Sequence, residues 1–364
     1  MRRVGSHFYP LLVTTVVATG TCATSTVTID RAETLGVQFV DQLGISGLAI
    51  AVGKDDEIVW SHGYGFADLE HRIPVSPTAT RFRVGSVSKP MTAVAVVQLY
   101  QDGRLDIDAP VQDYVPYFPE KEGVVTTRLL AGHLAGIRNY ADGEYYNTRA
   151  YDSVEQAISV FAGDPLEFAP GTAHRYTSYG YNLISAVIEG ASGQPFLDYM
   201  REHVFAPAGM SRTIADHVDL LIPDRARPYE IQDGVLVNAP WVDNSVKWAG
   251  GGFLSTADDL VRFGLAHFSA FQMNQDALNL LWESQKTIGG EVVDYGIGWR
   301  LRTDSRGRRV VYHGGSAVGG TTDLHVYPDD GLVIAAISNT SPAHIPLAAS
   351  QALVDELADL FLRQ

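Results

Sequence analysis

The sequence predicts a mixed α/β (α+β) fold in which a helical region interrupts an antiparallel sheet. Two β-prone runs, Gly47–Gly53 and Glu57–Gly63, flank a polar turn of hairpin length near the start of the chain. Four more runs of this kind lie near the other end, and segments with helical spacing fill the chain between them. Early and late strands can therefore share one sheet, with the helices in a second layer.

The predicted elements follow from apolar spacing and from turn residues. The later strands are predicted at Gly296–Arg302, Arg309–His313, Thr321–Tyr327 and Leu332–Ser338. Helices are predicted at Ser86–Tyr100, Val154–Phe161, Tyr181–Glu189, Phe196–Val204, Ala257–His267, Asp276–Ser284 and Pro346–Leu362. No repeat or low-complexity linker divides the chain, so residues 24–364 are expected to form one domain. Its sheet part is expected at about 24–84 and 291–364, and its helical part at about 85–290.

Charge and cysteine content exclude several classes of protein. The 364 residues include 27 Lys and Arg against 42 Asp and Glu, and the net charge of −15 repels nucleic acid and anionic lipid. Cys22 is the only cysteine, which excludes an internal disulfide and a thiolate zinc site. The scattered histidines, among them His133 and His174, show no ligand spacing. We therefore expect no metal and no cofactor, and the expected partner is a small-molecule or peptide substrate.

Residues 1–23 have the layout of a secretory signal peptide. A positive start precedes a mostly apolar stretch, Phe8–Gly20, and small residues follow up to Ala23. The stretch is shorter than the about 20 residues that a spanning helix needs, so no stable membrane span is expected after processing. We expect export to the periplasm or the medium. Lipidation at Cys22 is disfavoured because Thr21 directly before it is bulky.

A candidate nucleophile and its base lie at the start of the helix predicted from Ser86. Residues three positions apart share one helix face, so the Ser86 hydroxyl and the Lys89 amine can meet. Pro90 is compatible with this place, because the first helical turn has no partner for its backbone N–H. The same residues also fit an N-cap serine followed by a solvent-exposed lysine.

Two further segments carry polar groups that can face one cleft. Tyr176 and Ser178 end a turn directly before a predicted helix, where a phenol and a hydroxyl can point into a crevice. His313 ends a predicted strand, and Gly315 and Ser316 follow at a place where glycine lets a substrate approach the backbone. A capping tyrosine and a plain β-turn are the structural alternatives.

Together these three segments resemble the motifs of the penicillin-recognising serine hydrolases, the superfamily of serine β-lactamases and penicillin-binding proteins. Those motifs are Ser-x-x-Lys, then Tyr-x-Asn, then Lys-Thr-Gly or a His variant. The resemblance includes residues 125–140, 170–210 and 243–259, and it points to the class C branch and its members known from animal mitochondria. It implies a five-stranded antiparallel sheet flanked by helices, with an inserted all-helical subdomain and an active site between the two.

The resemblance also implies a role for each motif residue. Ser86 would be the acylated nucleophile, Lys89 its base, and Tyr176 the group that passes a proton to the leaving atom. The oxyanion would accept hydrogen bonds from the backbone N–H groups of Ser86 and Ser316. The positions implied to bind substrate or the oxyanion are Ser178, His313, Gly315 and Ser316.

Two positions depart from the family's pattern. Ser178 stands where the family usually has Asn, so a shorter hydroxyl replaces an amide that orients the substrate's acylamino carbonyl. His313 stands where Lys is commonest, although the class C branch also has His there. A free imidazole is near half-protonation at neutral pH, so we expect the binding of a substrate carboxylate to depend on pH.

The motifs favour an exported serine hydrolase that cleaves a peptide or amide bond through an acyl-enzyme on Ser86. A carboxylesterase and a true β-lactamase are alternatives, because ester and amide cleavage share the acyl-enzyme. A catalytically silent binding or scaffold protein is the alternative that is not an enzyme. Gly250–Gly252 is interpreted as a tight bend before a helix, and the aromatic segment Tyr140–Tyr151 as the mouth of the crevice or a cover on the core.

Overall fold

The computed structural model describes residues 25–363, and the expected signal peptide at residues 1–23 lies outside them, as does Cys22. The α-helices are α1 Thr26–Leu43, α2 Ser88–Gln101, α3 Thr127–Ala131, α4 Val154–Ile158, α5 Tyr179–Ser192, α6 Phe196–Tyr199, α7 Trp248–Gly251, α8 Ala257–Ala266, α9 Gln275–Trp282 and α10 Leu347–Leu362. The strands are β1 Gly47–Lys54, β2 Glu57–Asp68, β3 Ile73–Pro74, β4 Phe82–Arg83, β5 Ile214–Ala215, β6 Tyr229–Gln232, β7 Val235–Asn238, β8 Phe253–Ser255, β9 Gln285–Lys286, β10 Val292–Val293, β11 Arg300–Thr303, β12 Arg309–Ala317, β13 Gly320–Tyr327 and β14 Leu332–Ser338. Among the described residues, no helix combines the length and the apolar character that crossing a membrane requires.

One antiparallel sheet joins the two ends of the chain. Its seven strands follow the order β11-β12-β13-β14-β1-β2-β3. β1 pairs with β14, with Ile50 opposite Ala336, so the early hairpin and the late strands share one sheet as predicted. The five inner strands have seven or more residues each and correspond to the expected five-stranded sheet. The short β11 and β3 add one strand at each edge.

Both faces of this sheet are covered by helices. Successive residues of a strand point to opposite faces. In β1, Leu48, Ile50 and Val52 belong to the buried cluster that includes α10, whereas Ala49 and Ala51 belong to the larger cluster that includes α2 and α8. The small alanine side chains allow the helical layer that carries α2 to pack closely on this face.

The predicted strands and helices are found close to their expected positions, although two of the strands differ in extent. The strand predicted at 296–302 begins only at Arg300, because Gly298 takes a left-handed backbone with φ of 79°. The strand predicted to end at His313 continues to Ala317, which excludes the plain β-turn considered for this segment. α1 is an additional element that was not predicted, and it packs Phe39, Val40 and Leu43 against the buried cluster that includes α10.

The packing of α8 on the sheet depends on Gly264. A Cβ at this position would lie 2.4 Å from Cγ1 of the buried Val333 on β14. We predict that Gly264→Ala lowers the free energy of unfolding by about 1 kcal/mol. Overpacking costs about 1–3 kcal/mol, which exceeds the about 1 kcal/mol that alanine gains over glycine in a helix. Urea denaturation measures the change.

Gly163→Ala provides the control for this prediction. No heavy atom lies within 4 Å of the position its Cβ would take. The control should change the free energy of unfolding by less than about 0.5 kcal/mol. A Gly264→Ala protein as stable as the control would contradict the close contact between α8 and β14.

Candidate active site

A cavity of about 600 Å³ lies between β12 and the helical layer. Lys89 does not line this cavity, but it contacts Ser86, which does. The structure therefore brings all the predicted site residues together. Those that line the cavity, here called the site cavity, are Ser86, Tyr176, Ser178, His313, Gly315 and Ser316.

The predicted nucleophile lies at a helix start, but it does not cap the helix. Ser86 is the central residue of a single 3₁₀ turn, Gly85–Val87, which runs directly into α2. The side chain of Ser86 makes no capping bond, and its Oγ lies 3.1 Å from Lys89 Nζ. Lys89 is fully buried. The alternative of a capping serine followed by a solvent-exposed lysine is therefore wrong.

Lys89 is an amine without access to water, and its hydrogen bonds are all made to the protein. Nζ lies 3.1 Å from Ser178 Oγ and donates to the Gly250 carbonyl at 2.6 Å. Burial lowers the pKa of Lys89 well below its ordinary value, and the positive charges of Arg300 and Lys247 lower it further. The amine is therefore neutral at a pH where an exposed lysine is charged.

The aromatic ring of Tyr176 faces the Lys89 amine. The Lys89 Nζ is 4.9 Å from the centre of the Tyr176 ring, and the Arg300 guanidinium is 5.2 Å from the same ring. Burial raises the pKa of Tyr176 to about 12, although the Ser86 side chain and the Arg300 charge act in the opposite direction. The phenol therefore keeps its proton at neutral pH and is available as a donor.

His313 corrects one expectation from the sequence. The ring is buried on β12, its Nδ1 donates to the Gly314 carbonyl at 2.7 Å, and its Nε2 accepts from the Tyr295 hydroxyl at 3.0 Å. Burial, together with the charge of Arg300, lowers the pKa of His313 well below its ordinary value. The imidazole is therefore neutral rather than near half-protonation, and the fixed charge on this side of the site cavity belongs to Arg300.

The turn that carries Ser86 is pressed against β12. Gly85 has a φ of 52°, and a Cβ there would lie 2.7 Å from the backbone of Ser316. A Cβ on Gly315 would lie 2.0 Å from the Val84 carbonyl oxygen. Only glycine fits at either place. This contact puts the backbone of the nucleophile's turn beside that of Ser316, as a shared oxyanion site requires.

Several residues of the site cavity were not predicted from the sequence. Gly250, interpreted as part of a structural bend, supplies the carbonyl that binds Lys89 and lines the cavity together with Gly251. Asn139 accepts a hydrogen bond from the Ser178 N–H at 3.0 Å. It thereby brings a side-chain amide next to Ser178, the position at which the family usually has Asn. Tyr140 and Tyr145 also line the cavity, in agreement with one of the two interpretations of the aromatic segment, and the charged lining residues that no motif indicated are Lys247, Arg300 and Asp323.

His133 fixes the segment that carries Tyr176. Its carbonyl accepts from the Arg175 N–H at 3.0 Å, and its Nδ1 accepts from the Thr177 N–H at 3.2 Å. The ring is buried with its centre 4.3 Å from that of Tyr176, and the backbone is left-handed with φ of 61°. His133, for which the sequence indicated no ligand role, therefore accepts hydrogen bonds from the residues directly before and after Tyr176.

Comparison with known proteins gives the family. The Beta-lactamase family model matches residues 32–357. The chain belongs to the β-lactamase family. This result confirms the predicted resemblance, the β-lactamase-like fold, and the assignment to serine hydrolases of the β-lactamase and penicillin-binding type.

Relatives within the β-lactamase family cover most of the chain. Serine beta-lactamase-like protein LACTB, mitochondrial, of Bos taurus is 31% identical over an alignment covering 86% of this chain and 74% of that protein. A D-aminopeptidase of Gluconobacter oxydans is 30% identical, with 83% and 57% covered. The structure of an octameric penicillin-binding protein homologue from Pyrococcus abyssi has a TM-score of 0.75 at 27% identity, with 91% and 77% covered.

The binding of the Tyr176 segment by His133 can be tested by its effect on stability. We predict that His133→Leu lowers the free energy of unfolding by about 2 kcal/mol or more. The leucine side chain offers no acceptor, so the Thr177 N–H is left unpaired, which costs about 1–3 kcal/mol. Leucine also disfavours the left-handed backbone of this position, which costs about 1–2 kcal/mol more. His133→Asn should lose less than about 1 kcal/mol, because asparagine tolerates this conformation and offers Oδ1 as an acceptor. Equal losses in urea denaturation would show that neither the side-chain acceptor for the Thr177 N–H nor the left-handed backbone of residue 133 contributes to the difference.

Proposed function

We propose that this protein is a serine hydrolase that cleaves a peptide or amide bond through an acyl-enzyme on Ser86. The observation that carries the proposal is the buried Lys89 amine, 3.1 Å from the Ser86 hydroxyl, with the Tyr176 ring 4.9 Å from the same nitrogen. These are the groups that nucleophilic attack on an amide needs: an alcohol, a base that is neutral at working pH, and a proton donor. The D-aminopeptidase relative supports the amide class.

In the proposed acylation, the Ser86 hydroxyl gives its proton to the neutral Lys89 amine while Oγ attacks the substrate carbonyl. The Gly250 carbonyl only accepts, so it takes an N–H of the amine and leaves the lone pair for the Ser86 proton. The oxyanion that forms accepts from the backbone N–H groups of Ser86 and Ser316. Removing one such donor typically raises the activation free energy by about 3 kcal/mol.

In the next step, the carbon–nitrogen bond breaks. The Tyr176 phenol gives its proton to the leaving nitrogen and receives the proton held by Lys89, so the site returns to its starting protonation. The ester between Ser86 and the acyl group remains. Water then attacks this ester and gives a proton to the same base, which returns it to Ser86 Oγ and releases a carboxylic acid.

Arg300 is the group proposed to bind a substrate carboxylate on the leaving side. It lines the site cavity beside Tyr176, and among the described residues no carboxylate oxygen lies within 4.0 Å of its guanidinium. The neutral His313 brings no charge of its own, so it would orient the neighbouring Tyr295. A peptide with a free carboxylate next to the scissile bond fits this arrangement.

Export is a separate proposal, supported by the layout of residues 1–23. Intact mass and N-terminal sequencing of the protein recovered from its native host would test it. A mature form that begins near residue 24 and is found in the periplasm or the medium supports export. Recovery of the protein from inside the cell would overturn the export proposal. So would its recovery from an organelle, the location that the name of the mitochondrial relative suggests.

The nucleophile can be tested by covalent labelling with a fluorophosphonate probe. We predict that Ser86→Ala abolishes labelling and that Lys89→Met slows it by about 100-fold or more, since positioned proton transfer contributes about 10²–10⁴ in rate. Lys286→Met, which removes an exposed lysine from β9, is the control and should label at the wild-type rate. Labelling that survives in Ser86→Ala would assign the nucleophile to another residue.

Turnover of a D-alanyl peptide, p-nitrophenyl butyrate and nitrocefin then distinguishes a peptidase from an esterase or a β-lactamase.

The pH dependence of labelling tests the protonation state of Lys89. Its lowered pKa means that the base loses its proton at a lower pH than an exposed lysine does, and activity is lost as the pH falls through that pKa. We expect a labelling rate that is high at pH 7 and declines toward acid. A rate that rises steadily toward pH 10.5, the ordinary pKa of a lysine, would contradict the buried neutral amine.

A further inference from the structure

We infer that Asp323 binds a positively charged side chain on the leaving side of the scissile bond, so that the enzyme prefers to release a basic amino acid. This inference rests on the proposed function and names the substrate class of that same site. It is carried by the position of Asp323 in the site cavity, by the lack of a cationic partner for its carboxylate, and by the place of Arg300 in the same cavity.

The site cavity continues past the edge of β12 to the other face of the sheet. β11 pairs with β12 only as far as Tyr312, so among the described strands none covers the rest of this edge. The cavity lining includes Pro346 and Leu347 at the start of α10, the helix that covers the face of the sheet away from α2. A substrate bound at Ser86 can therefore extend over this edge and reach the α10 side.

Asp323 lies on the α10 side of β13, at the end of this path. Its partner in the sheet register is Gly314 of β12. A Cβ at Gly314 would lie 3.3 Å from Asp323 Oδ1 and 3.8 Å from Leu347 Cδ1, so the absence of a side chain leaves a gap between the two. Asp323 is only 2% exposed, yet it lines the site cavity. The gap at Gly314 therefore leaves this buried carboxylate open to a ligand.

The carboxylate of Asp323 has no cationic partner among the described residues. Its Oδ1 is buried without a hydrogen bond and lies 3.6 Å from His325 Nε2. The other ring nitrogen of His325 lies 3.4 Å from Arg302 Nη2, and because a guanidinium only donates, that nitrogen is an acceptor and the ring is neutral. Asp355 binds Arg302 through both of its oxygens. Aspartates are almost never fully buried unless they are paired, so the missing partner is assigned to a cation on the substrate.

The register of β12 places this site on the leaving side. Along the strand, Ser316 is the residue whose N–H is proposed to bind the oxyanion, Gly314 is opposite Asp323, and Tyr312 is opposite Arg300. The three positions follow one another at intervals of two residues. Arg300 is the group proposed to bind a leaving-side carboxylate. Asp323 therefore lies between the reacting carbonyl and that carboxylate site, on the same side of the scissile bond.

Arg300 and Asp323 together fit the two ends of one basic amino acid. Arg300 lies on the helical side of the β12 edge, against the Tyr176 ring, whereas Asp323 lies on the α10 side. An amino acid released at this edge can offer its carboxylate to Arg300 and a side-chain cation to Asp323. Lysine and arginine also carry a long aliphatic stem, which can pack on Ile345 and Leu347 in the cavity lining.

The test compares two peptides that differ only in the ammonium group of the released residue: acetyl-alanyl-lysine and acetyl-alanyl-norleucine, in the D and L forms of both residues. We expect kcat/KM to be at least about 10-fold higher for the lysine peptide, since a charge-assisted hydrogen bond is worth about this factor. Asp323→Asn keeps the shape of the side chain without its charge and should bring the ratio of the two values close to 1. Asp329→Asn, in the exposed turn after β13, is the control and should keep the wild-type ratio.

Different outcomes overturn different claims. A wild type that releases lysine and norleucine equally well overturns the site, and a lysine preference that persists in Asp323→Asn assigns the recognition to another residue. An equal loss on both peptides in Asp323→Asn would make Asp323 a structural residue. If the wild type is labelled at Ser86 but turns over neither peptide, protection from labelling by free lysine against norleucine gives the same comparison, and equal protection overturns the site. A protein in which the fluorophosphonate does not react with Ser86 overturns the proposed function, and the inference with it.

Discussion

The burial of the Lys89 amine is the constraint on which the site depends. An ionised amine without water costs several kcal/mol, and deprotonation together with hydrogen bonds to the protein reduces that cost. The partners of Nζ come from three separate places: the turn before α2, the residue before α5, and the carbonyl of Gly250 in α7. Each of these elements must reach its final position before the amine has its partners, so the site is complete only when these parts of the helical layer have packed together.

Much of the fold and the centre of the site follow from local patterns in the sequence. Helical spacing is enough to bring Ser86 and Lys89 together, because the 3₁₀ turn that carries Ser86 runs directly into α2, which carries Lys89. The pairing of early and late strands follows from their similar composition. α1 was not predicted, although its apolar residues, among them Phe39, Val40 and Leu43, recur at helical spacing and pack against the cluster that includes α10. The late start of β11 depends on the left-handed Gly298, a conformation that composition alone does not specify.

The remaining features of the site depend on contacts between residues distant in the chain. Gly250 follows the Lys89 that it binds by 161 positions, and nothing in a run of glycines indicates which carbonyl will face an amine. The protonation of His313 was wrongly expected from the behaviour of a free imidazole, because burial and the charge of Arg300 change it. The role proposed for Arg300 also depends on whether this cation has a carboxylate partner among the described residues, and only the folded arrangement gives that.

The contact between Gly85 and Ser316 has a consequence for how the family can diversify. The nucleophile's turn rests on the last residues of the strand β12 with no space for even one methyl group, so that wall of the cavity resists remodelling by mutation. The opposite wall, formed by the tyrosine-rich segment from Tyr140 and the turn that carries Lys247, is built from loops and short helical turns. Evolution can therefore exchange substrates by rebuilding one wall while the chemical apparatus on the other is inherited unchanged.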